Sequence, residues 1–182
     1  MSVLAALVAV ALAAGPAAAE EPPAVPAGVA DAIRRLHPDA QVVRADEILD
    51  ERCGVAQRRE QIFRADFDGD KRQDYTALIR IGEPAGKPEE KLRTVPLWGV
   101  VFLANRGGRY RPFILFKDED AMFPSRRVLW IQSPGRVHHG VHPERVLTLK
   151  HPAVGSMLCE GTAKVFYWVG QRQTFRDYLT KE

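Results

Sequence analysis

The chain has no long hydrophobic run after its first nineteen residues, and it contains no internal repeat. A helix that crosses a bilayer needs about 20 consecutive apolar residues, so we expect no transmembrane segment in the rest of the chain. The absence of a repeat argues against propellers and solenoids, which are built from repeated units. The chain beyond residue 19 has the length of one ordinary domain.

Sequence motifs of common catalytic sites are also missing. No serine in the body of the chain lies in a G-x-S-x-G elbow. The chain has no phosphate-binding loop, no H-E-x-x-H helix and no glycine-rich dinucleotide fingerprint. A pair of carboxylates could support glycoside hydrolysis, but no pair stands out from ordinary surface charge among Asp46, Glu47, Asp118, Glu119 and Asp120. We therefore expect a non-catalytic protein, and the alternative is a small extracytoplasmic hydrolase with an unrecognised acid or histidine site.

Positive charge is not concentrated in one part of the chain. The formal net charge is +3, and the arginines occur as scattered pairs, such as Arg34-Arg35 and Arg126-Arg127, and as many single residues. Nucleic-acid-binding domains more often cluster their basic residues on one face. We therefore expect no nucleic-acid partner, while a weak attraction to anionic envelope surfaces stays open.

The first nineteen residues carry no charged side chain and end in Ala17-Ala18-Ala19. An apolar stretch followed by small residues is the outline of a secretory signal peptide, although the usual Lys or Arg near its start is missing. An alanine-rich N-terminal helix or anchor is the alternative. The pattern predicts a periplasmic or secreted protein with a signal peptide at 1–19, a flexible lead-in at 20–26 and a single globular domain at 27–182.

Only two cysteines are present, Cys53 and Cys159. Two lone cysteines most often pair in an oxidising compartment. A bridge would close a loop of 106 residues (159 minus 53), and it could stabilise the fold by up to about 4–5 kcal/mol in the chain-entropy model. A reactive free thiol is the alternative, but it would need an activating partner that the sequence does not indicate. We predict a disulfide.

Hydrophobic periodicity predicts few helices and many strands. Apolar residues recur at helical spacing over Ala27–Leu36, and a second short helical turn is expected at 46–52. Segments typical of strands lie at 61–65, 75–81, 97–103, 110–116, 128–132, 145–150, 154–159, 163–169 and 174–179. The nearly continuous apolar segment 97–103 is expected to be a central buried strand. The pattern predicts an α+β fold with a mainly antiparallel β-sheet and one or two short N-terminal helices.

One segment, residues 66–74, has a composition that points to metal binding. It places carboxylates at positions 1, 3, 5 and 9, which are Asp66, Asp68, Asp70 and Asp74. Ca²⁺ prefers about six to eight oxygen ligands at about 2.3–2.6 Å, and alternate carboxylates on a tightly curled loop can converge on one ion. The backbone supplies a further oxygen at position 7, the carbonyl of Arg72. Without a cation the four carboxylates would repel one another.

These residues resemble the "DxDGDGxxDY" calcium loop of FG-GAP and VCBS-type repeats, in the single-copy form found in exported bacterial proteins of unknown function. The resemblance covers residues 60–81 and not the rest of the chain. It implies that the loop joins two antiparallel strands. It also implies that a structural Ca²⁺ is bound by the side chains of Asp66, Asp68, Asp70 and Asp74 and by the carbonyl of Arg72.

The loop departs from this pattern at position 6, where Lys71 replaces the usual glycine. A left-handed backbone costs a residue other than glycine about 1–2 kcal/mol, and the lysine charge opposes a bound cation. The loop is also not an EF-hand, because its twelfth position is Ala77 and not a glutamate. The alternative to a calcium site is an empty acidic turn built on Asp68-Gly69.

Two other groups of residues are weaker candidates for a ligand-binding site. His138, His139 and His142 could offer imidazoles to a transition metal, but Gly140 and Pro143 favour an exposed loop. The aromatic residues Trp98, Trp130, Phe166, Tyr167 and Trp168 could line a ligand face, although such residues more often pack in a sheet.

Taken together, the sequence predicts a non-catalytic binding or envelope-accessory module with a calcium-stabilised hairpin. Its expected partner is an unknown protein or envelope component. A further alternative is a structural or inhibitory protein that recognises another exported protein through a sheet edge.

Overall fold

The structure is a computed structural model that describes residues 25–48, 53, 61–81, 97–118, 127–159 and 161–181. The predicted signal peptide and most of the lead-in lie outside these residues. The described chain forms, in order, α1 (Ala27–Leu36), β1 (Ala40–Val42), β2 (Ile62–Ala65), β3 (Asp74–Ile81), β4 (Leu97–Arg106), β5 (Arg109–Asp118), β6 (Arg127–Gln132), β7 (Gly135–His138), β8 (Val146–Leu149), β9 (Ala153–Leu158), β10 (Ala163–Val169) and β11 (Thr174–Lys181). Short 3₁₀ turns lie at Ala45–Glu47 and Gly170–Arg172.

Helix α1 has the bounds that its hydrophobic spacing predicts. It ends at Leu36, because the next residue, His37, precedes a proline and is therefore disfavoured in helical backbone. Its buried side chains are Val29, Ala32 and Ile33. They form a core with residues of β3 and β4, so the helix covers one face of a sheet.

That first sheet contains β1 to β5, and all of its strand pairs are antiparallel. Its main path runs β1–β3–β4–β5, while β2 pairs with β3 beside β1. Strand β4 lies inside the sheet, and its residues 100–104 are fully buried. The prediction of a central buried strand here is confirmed. Both faces of β4 are covered, which explains its nearly continuous apolar sequence.

The second sheet has the order β11–β10–β9–β6 and packs face to face on the first. Leu78 and Phe102 from the first sheet share a core with Leu129, Val154 and Phe166 from the second. The β7–β8 hairpin covers the outer face of the second sheet through Val137 and Leu149. The molecule is therefore layered as helix, sheet, sheet and hairpin.

Cys53 and Cys159 form a disulfide, as the sequence predicts, with their Cα atoms 4.9 Å apart. Both residues are buried and belong to the core between the two sheets. The bridge therefore ties the chain ahead of β2 to the end of β9.

The predicted antiparallel sheet is confirmed, and the protein is richer in strands than the α+β label implies. Of the second predicted helical turn, the described part forms the 3₁₀ turn at Ala45–Glu47, and residues 49–52 lie outside the described residues. The sequence did not predict β1 or β7, which are only 3 and 4 residues long. In the described parts of the chain, no helix is long and apolar enough to cross a membrane.

A close contact between β6 and β9 gives a first prediction. Gly155 pairs with Trp130, and a Cβ atom at position 155 would overlap the indole ring. Gly155→Ala should therefore lower the free energy of unfolding by about 1–3 kcal/mol in urea denaturation, the usual cost of overpacking. Gly170→Ala is the control, because its new Cβ would meet nothing closer than 3.8 Å. Equal stability of the two variants would contradict this packing.

The disulfide gives a second prediction. Replacing Cys53 and Cys159 together by serine should lower the free energy of unfolding by several kcal/mol, up to about 4–5, because the unfolded chain regains the freedom of a long loop. Urea denaturation of the oxidised protein, the reduced protein and the double variant measures this effect. The reduced protein should resemble the variant, and an oxidised protein no more stable than either would refute the prediction.

Candidate metal centre

The acidic loop, residues 66–73, connects β2 to β3. Ala65 and Asp74 pair with each other where the two antiparallel strands meet the loop. The strand–loop–strand arrangement expected from the sequence is therefore present.

Asp66 closes the first turn of the acidic loop. Its Oδ1 accepts a hydrogen bond from the N–H of Gly69 at 2.7 Å, and its Oδ2 accepts one from the N–H of Lys71 at 2.9 Å. The backbone is thereby curled around the first carboxylate.

Asp68 and Asp70 also bind loop N–H groups, each through Oδ1. The N–H of Asp70 donates to Asp68 at 3.2 Å, and the N–H of Arg72 donates to Asp70 at 2.9 Å. These bonds leave the Oδ2 atom of each carboxylate for a cation.

Two residues of the loop have a left-handed backbone. Lys71 has a φ of 66°, so the conformation that normally favours glycine at position 6 is present despite the lysine. Gly69 has a φ of 81°, and a Cβ atom there would also overlap the imidazole of His151. Glycine is therefore required at position 69 on two grounds, while position 71 tolerates lysine at a cost of about 1–2 kcal/mol.

Phe67 anchors the loop in the protein core. Its side chain is fully buried and meets Phe102 edge to face, with 6.0 Å between ring centroids. The backbone that bears the acidic side chains on either side of Phe67 is therefore fixed to the two packed sheets.

Asp74, the first residue of β3 after the loop, carries a buried carboxylate. Its Oδ2 accepts a hydrogen bond from the N–H of Phe67 at 3.2 Å, and its Oδ1 accepts one from the N–H of Asn105 at 2.9 Å. Burial raises the pKa of Asp74 from 3.8 to about 6, and the charges of Asp68 and Asp70 add to the rise, against the lowering effect of the two N–H bonds. The carboxyl thus gains protons more readily than an ordinary aspartate.

Three of the predicted ligands converge. One carboxylate oxygen each of Asp66, Asp68 and Asp74 lies within 4.8 Å of the other two. Among the described residues, no other set of three or more His, Cys, Asp or Glu side chains converges in this way. Asp70 is not a member of the convergent set.

A cation from another element already contacts the loop. Nη1 of Arg106, at the end of β4, lies 3.0 Å from Oδ2 of Asp68 and 3.1 Å from Oδ2 of Asp70. The Asp68 side chain in this pair is only 3% exposed. The sequence analysis did not find this contact, because nothing in the local pattern around Arg106 links it to a loop more than 30 residues earlier in the chain.

His138, His139 and His142 do not form a convergent set of three metal ligands. Nδ1 of His138 lies 2.9 Å from the carbonyl oxygen of Pro143. Nδ1 of His139 accepts hydrogen bonds from the N–H groups of Val141 and His142, both at 3.2 Å. These contacts hold the shape of the loop and do not assemble a metal site.

Asp46 and Glu47, two of the acidic residues that could have formed a catalytic pair, each form an ion pair with an arginine. Glu47 pairs with the buried Arg80 at 2.8 Å, and Asp46 pairs with Arg44 at 3.1 Å. Glu119, Asp120 and the side chain of Asp118 lie outside the described part of the chain. These contacts give no support to a catalytic carboxylate pair.

The aromatic run in β10 is divided between two faces. Phe166 belongs to the core between the sheets, and Trp168 contacts Phe102 and Phe175 there. Tyr167 packs with the outer cluster under the β7–β8 hairpin, as does Trp130. The aromatic residues of β10 are therefore packing residues and do not form one exposed ligand face. The side chain of Trp98 lies outside the described part of the chain.

Comparison of the chain with known protein families, with curated proteins and with solved structures finds no match.

The raised pKa of Asp74 gives a third prediction, for the protein in chelator. Between about pH 4 and pH 6 the folded protein keeps a proton on Asp74 that the unfolded chain releases, so the contribution of Asp74 to stability is greatest at low pH and is lost as the pH rises to about 6. Asp74→Asn cannot titrate. The wild-type free energy of unfolding, measured relative to this variant, should therefore fall between pH 4 and pH 7. A difference that does not change with pH would refute the raised pKa.

Proposed function

We propose that the protein is an exported, non-catalytic binding or envelope-accessory module whose β2–β3 loop binds one structural Ca²⁺. The observation that carries the metal assignment is the convergence of Asp66, Asp68 and Asp74. Two oxygens on one Ca²⁺ lie at most about 4.6–5.2 Å apart, twice the Ca–O distance. The separation of the three aspartate oxygens, at most 4.8 Å, is compatible with this geometry.

The chemistry of the loop also favours a hard cation. All of the proposed ligands are oxygens: the carboxylates of Asp66, Asp68, Asp70 and Asp74 and the backbone carbonyl of Arg72. The negative charges of Asp68 and Asp70 add to the rise in the pKa of the buried Asp74. A bound divalent ion would relieve that repulsion.

The role of the ion is structural in this proposal. The loop connects paired strands, and Phe67 fixes it to the core. An ion bound by residues at both ends of the loop would pin β2 to β3. Lys71 opposes the ion by its charge, so we expect a dissociation constant of about 10⁻⁴–10⁻³ M, which is usual for extracytoplasmic modules.

The proposal also includes the location of the protein and the kind of partner that it binds. A buried disulfide is typical of proteins that fold in an oxidising compartment, which supports a periplasmic or secreted location for a chain with a predicted signal peptide. The partner in this proposal is an unidentified protein or envelope component. Pairing with a partner strand at the outer edge of β5 is disfavoured, because β5 contains Pro112 and a bulge at its pairing with β4, two features that blunt edge strands.

Thermal unfolding in EGTA and in about 10 mM Ca²⁺ tests the metal assignment. This concentration is about 10–100 times the expected dissociation constant and stabilises the folded state by about 1.4–2.7 kcal/mol, so the midpoint should rise by at least about 3 °C for a domain of this size. Asp68→Asn is the matched variant, because its amide oxygen can still accept the N–H of Asp70 while the carboxylate charge is lost.

The calcium-dependent rise should disappear in Asp68→Asn and persist in Asp177→Asn. Asp177 is a suitable control because it pairs with Lys164 on the second sheet. A wild-type midpoint that is the same in EGTA and in Ca²⁺ would mean that the loop is an empty acidic turn.

A further inference from the structure

Arg106 reaches the acidic loop from a separate hairpin. It is the last residue of β4 and faces Arg109 across the β4–β5 turn. Its Nη1 lies within 3.1 Å of both Asp68 and Asp70. The contacted atoms are the Oδ2 oxygens, the ones that the loop N–H groups leave unused.

The neighbouring residue fixes the position from which Arg106 reaches the loop. The N–H of Asn105 donates to Asp74, and its side-chain amide donates to the carbonyl of Gln73 at 3.2 Å. The Asn105 side chain also accepts the N–H of Gly108 at 2.8 Å, which shapes the turn itself. The end of the hairpin is therefore held against the acidic loop by hydrogen bonds that do not involve Arg106. These bonds fix the backbone from which the Arg106 side chain extends.

The burial of Asp68 makes this ion pair different from an ordinary surface pair. Exposed pairs contribute little to stability, but the Asp68 side chain is 3% exposed while Arg106 is 43% exposed. Removing the partner of a buried carboxylate leaves its charge uncompensated. The single positive charge of the guanidinium therefore compensates part of the negative charge at Asp68. A divalent ion would compensate the same charge with two positive charges.

We propose that Arg106 is an internal cation of the acidic loop and that it sets the loop's calcium affinity. The guanidinium and Ca²⁺ compete for the Oδ2 atoms of Asp68 and Asp70, so that binding of the ion requires displacement of Arg106. This inference rests on the proposed calcium function. It predicts an ion-free loop that keeps its fold because Arg106 replaces the metal, and a calcium-bound loop in which the Arg106 side chain is released to solvent.

Isothermal titration of Ca²⁺ into the chelator-treated protein tests this competition. Arg106→Gln removes the charge, Arg106→Lys keeps it, and Arg109→Gln is the control on the other side of the same turn. Arg106→Gln should bind Ca²⁺ at least about fivefold more tightly than the wild type, the lower end of usual coupling between two binding events. Arg106→Lys and Arg109→Gln should both bind within about twofold of the wild type.

Thermal unfolding of the same four proteins supplies the second readout. In chelator, Arg106→Gln should unfold at a lower temperature than Arg109→Gln, and saturating Ca²⁺ should close that gap. A gap that Ca²⁺ leaves unchanged would overturn the competition, because Arg106 would then stabilise the loop whether or not the ion is bound.

The outcomes separate this inference from the calcium function. Equal and measurable affinities in the wild type and Arg106→Gln would overturn the role of Arg106 and leave the calcium site intact. Binding by Arg106→Gln alone would support the competition and show that Arg106 closes the wild-type loop to Ca²⁺. No binding by either protein would overturn both proposals.

Discussion

The arrangement of the acidic loop depends on the buried carboxylate of Asp74. It accepts N–H bonds from Phe67, in the loop, and from Asn105, near the end of β4, and it is itself the first residue of β3. Three separate parts of the chain therefore meet at one side chain. Burial of that side chain disfavours its charge, as the raised pKa shows, and the two N–H bonds only partly offset this cost. The site consequently gains from any positive charge nearby, whether from a metal ion or from a side chain.

The two packed sheets give the acidic loop a rigid support. Phe67 lies in the core with Phe102, and His151 packs against Gly69 from the segment between β8 and β9. The first sheet and the connection between β8 and β9 thus both contribute to the position of a short polar segment. Sites carried on such supports bind with less reorganisation than sites on free loops. This explains how an acidic loop with a strained lysine at position 71 keeps a curled backbone.

Much of the fold can be predicted from local sequence patterns. The period of the apolar residues in α1, the aromatic-rich sequence of β10 and the apolar run in β4 are each local signals, and each of these elements formed where it was predicted. The disulfide was predictable because the chain has only two cysteines. Strands β1 and β7 were missed because segments of 3 and 4 residues carry too little periodicity to be recognised. Their place is fixed by pairing with β3 and β8, which the sequence alone does not reveal.

The candidate site was predictable only in part. The spacing of the aspartates indicated a curled acidic loop, and the glycine rule identified Lys71 as an unusual residue at its position. The contacts of Arg106, Asn105 and His151 with the loop have no local signal, since they join segments that are distant in sequence. The burial of Asp74 was hidden for the same reason, because it depends on how the β4–β5 turn docks. Yet these long-range contacts set the balance of charge around the aspartates of the loop.

We propose that the oxygens of Asp66, Asp68 and Asp74 bind one Ca²⁺ in place of the Arg106 guanidinium. A crystal structure of the protein grown in millimolar Ca²⁺, with anomalous scattering to identify the ion, would locate both the ion and the side chain. We expect a single calcium peak at about 2.3–2.6 Å from oxygens of these three aspartates, with Arg106 displaced from Asp68. A structure in which no anomalous peak lies at the loop and Arg106 still pairs with Asp68 and Asp70 would contradict it.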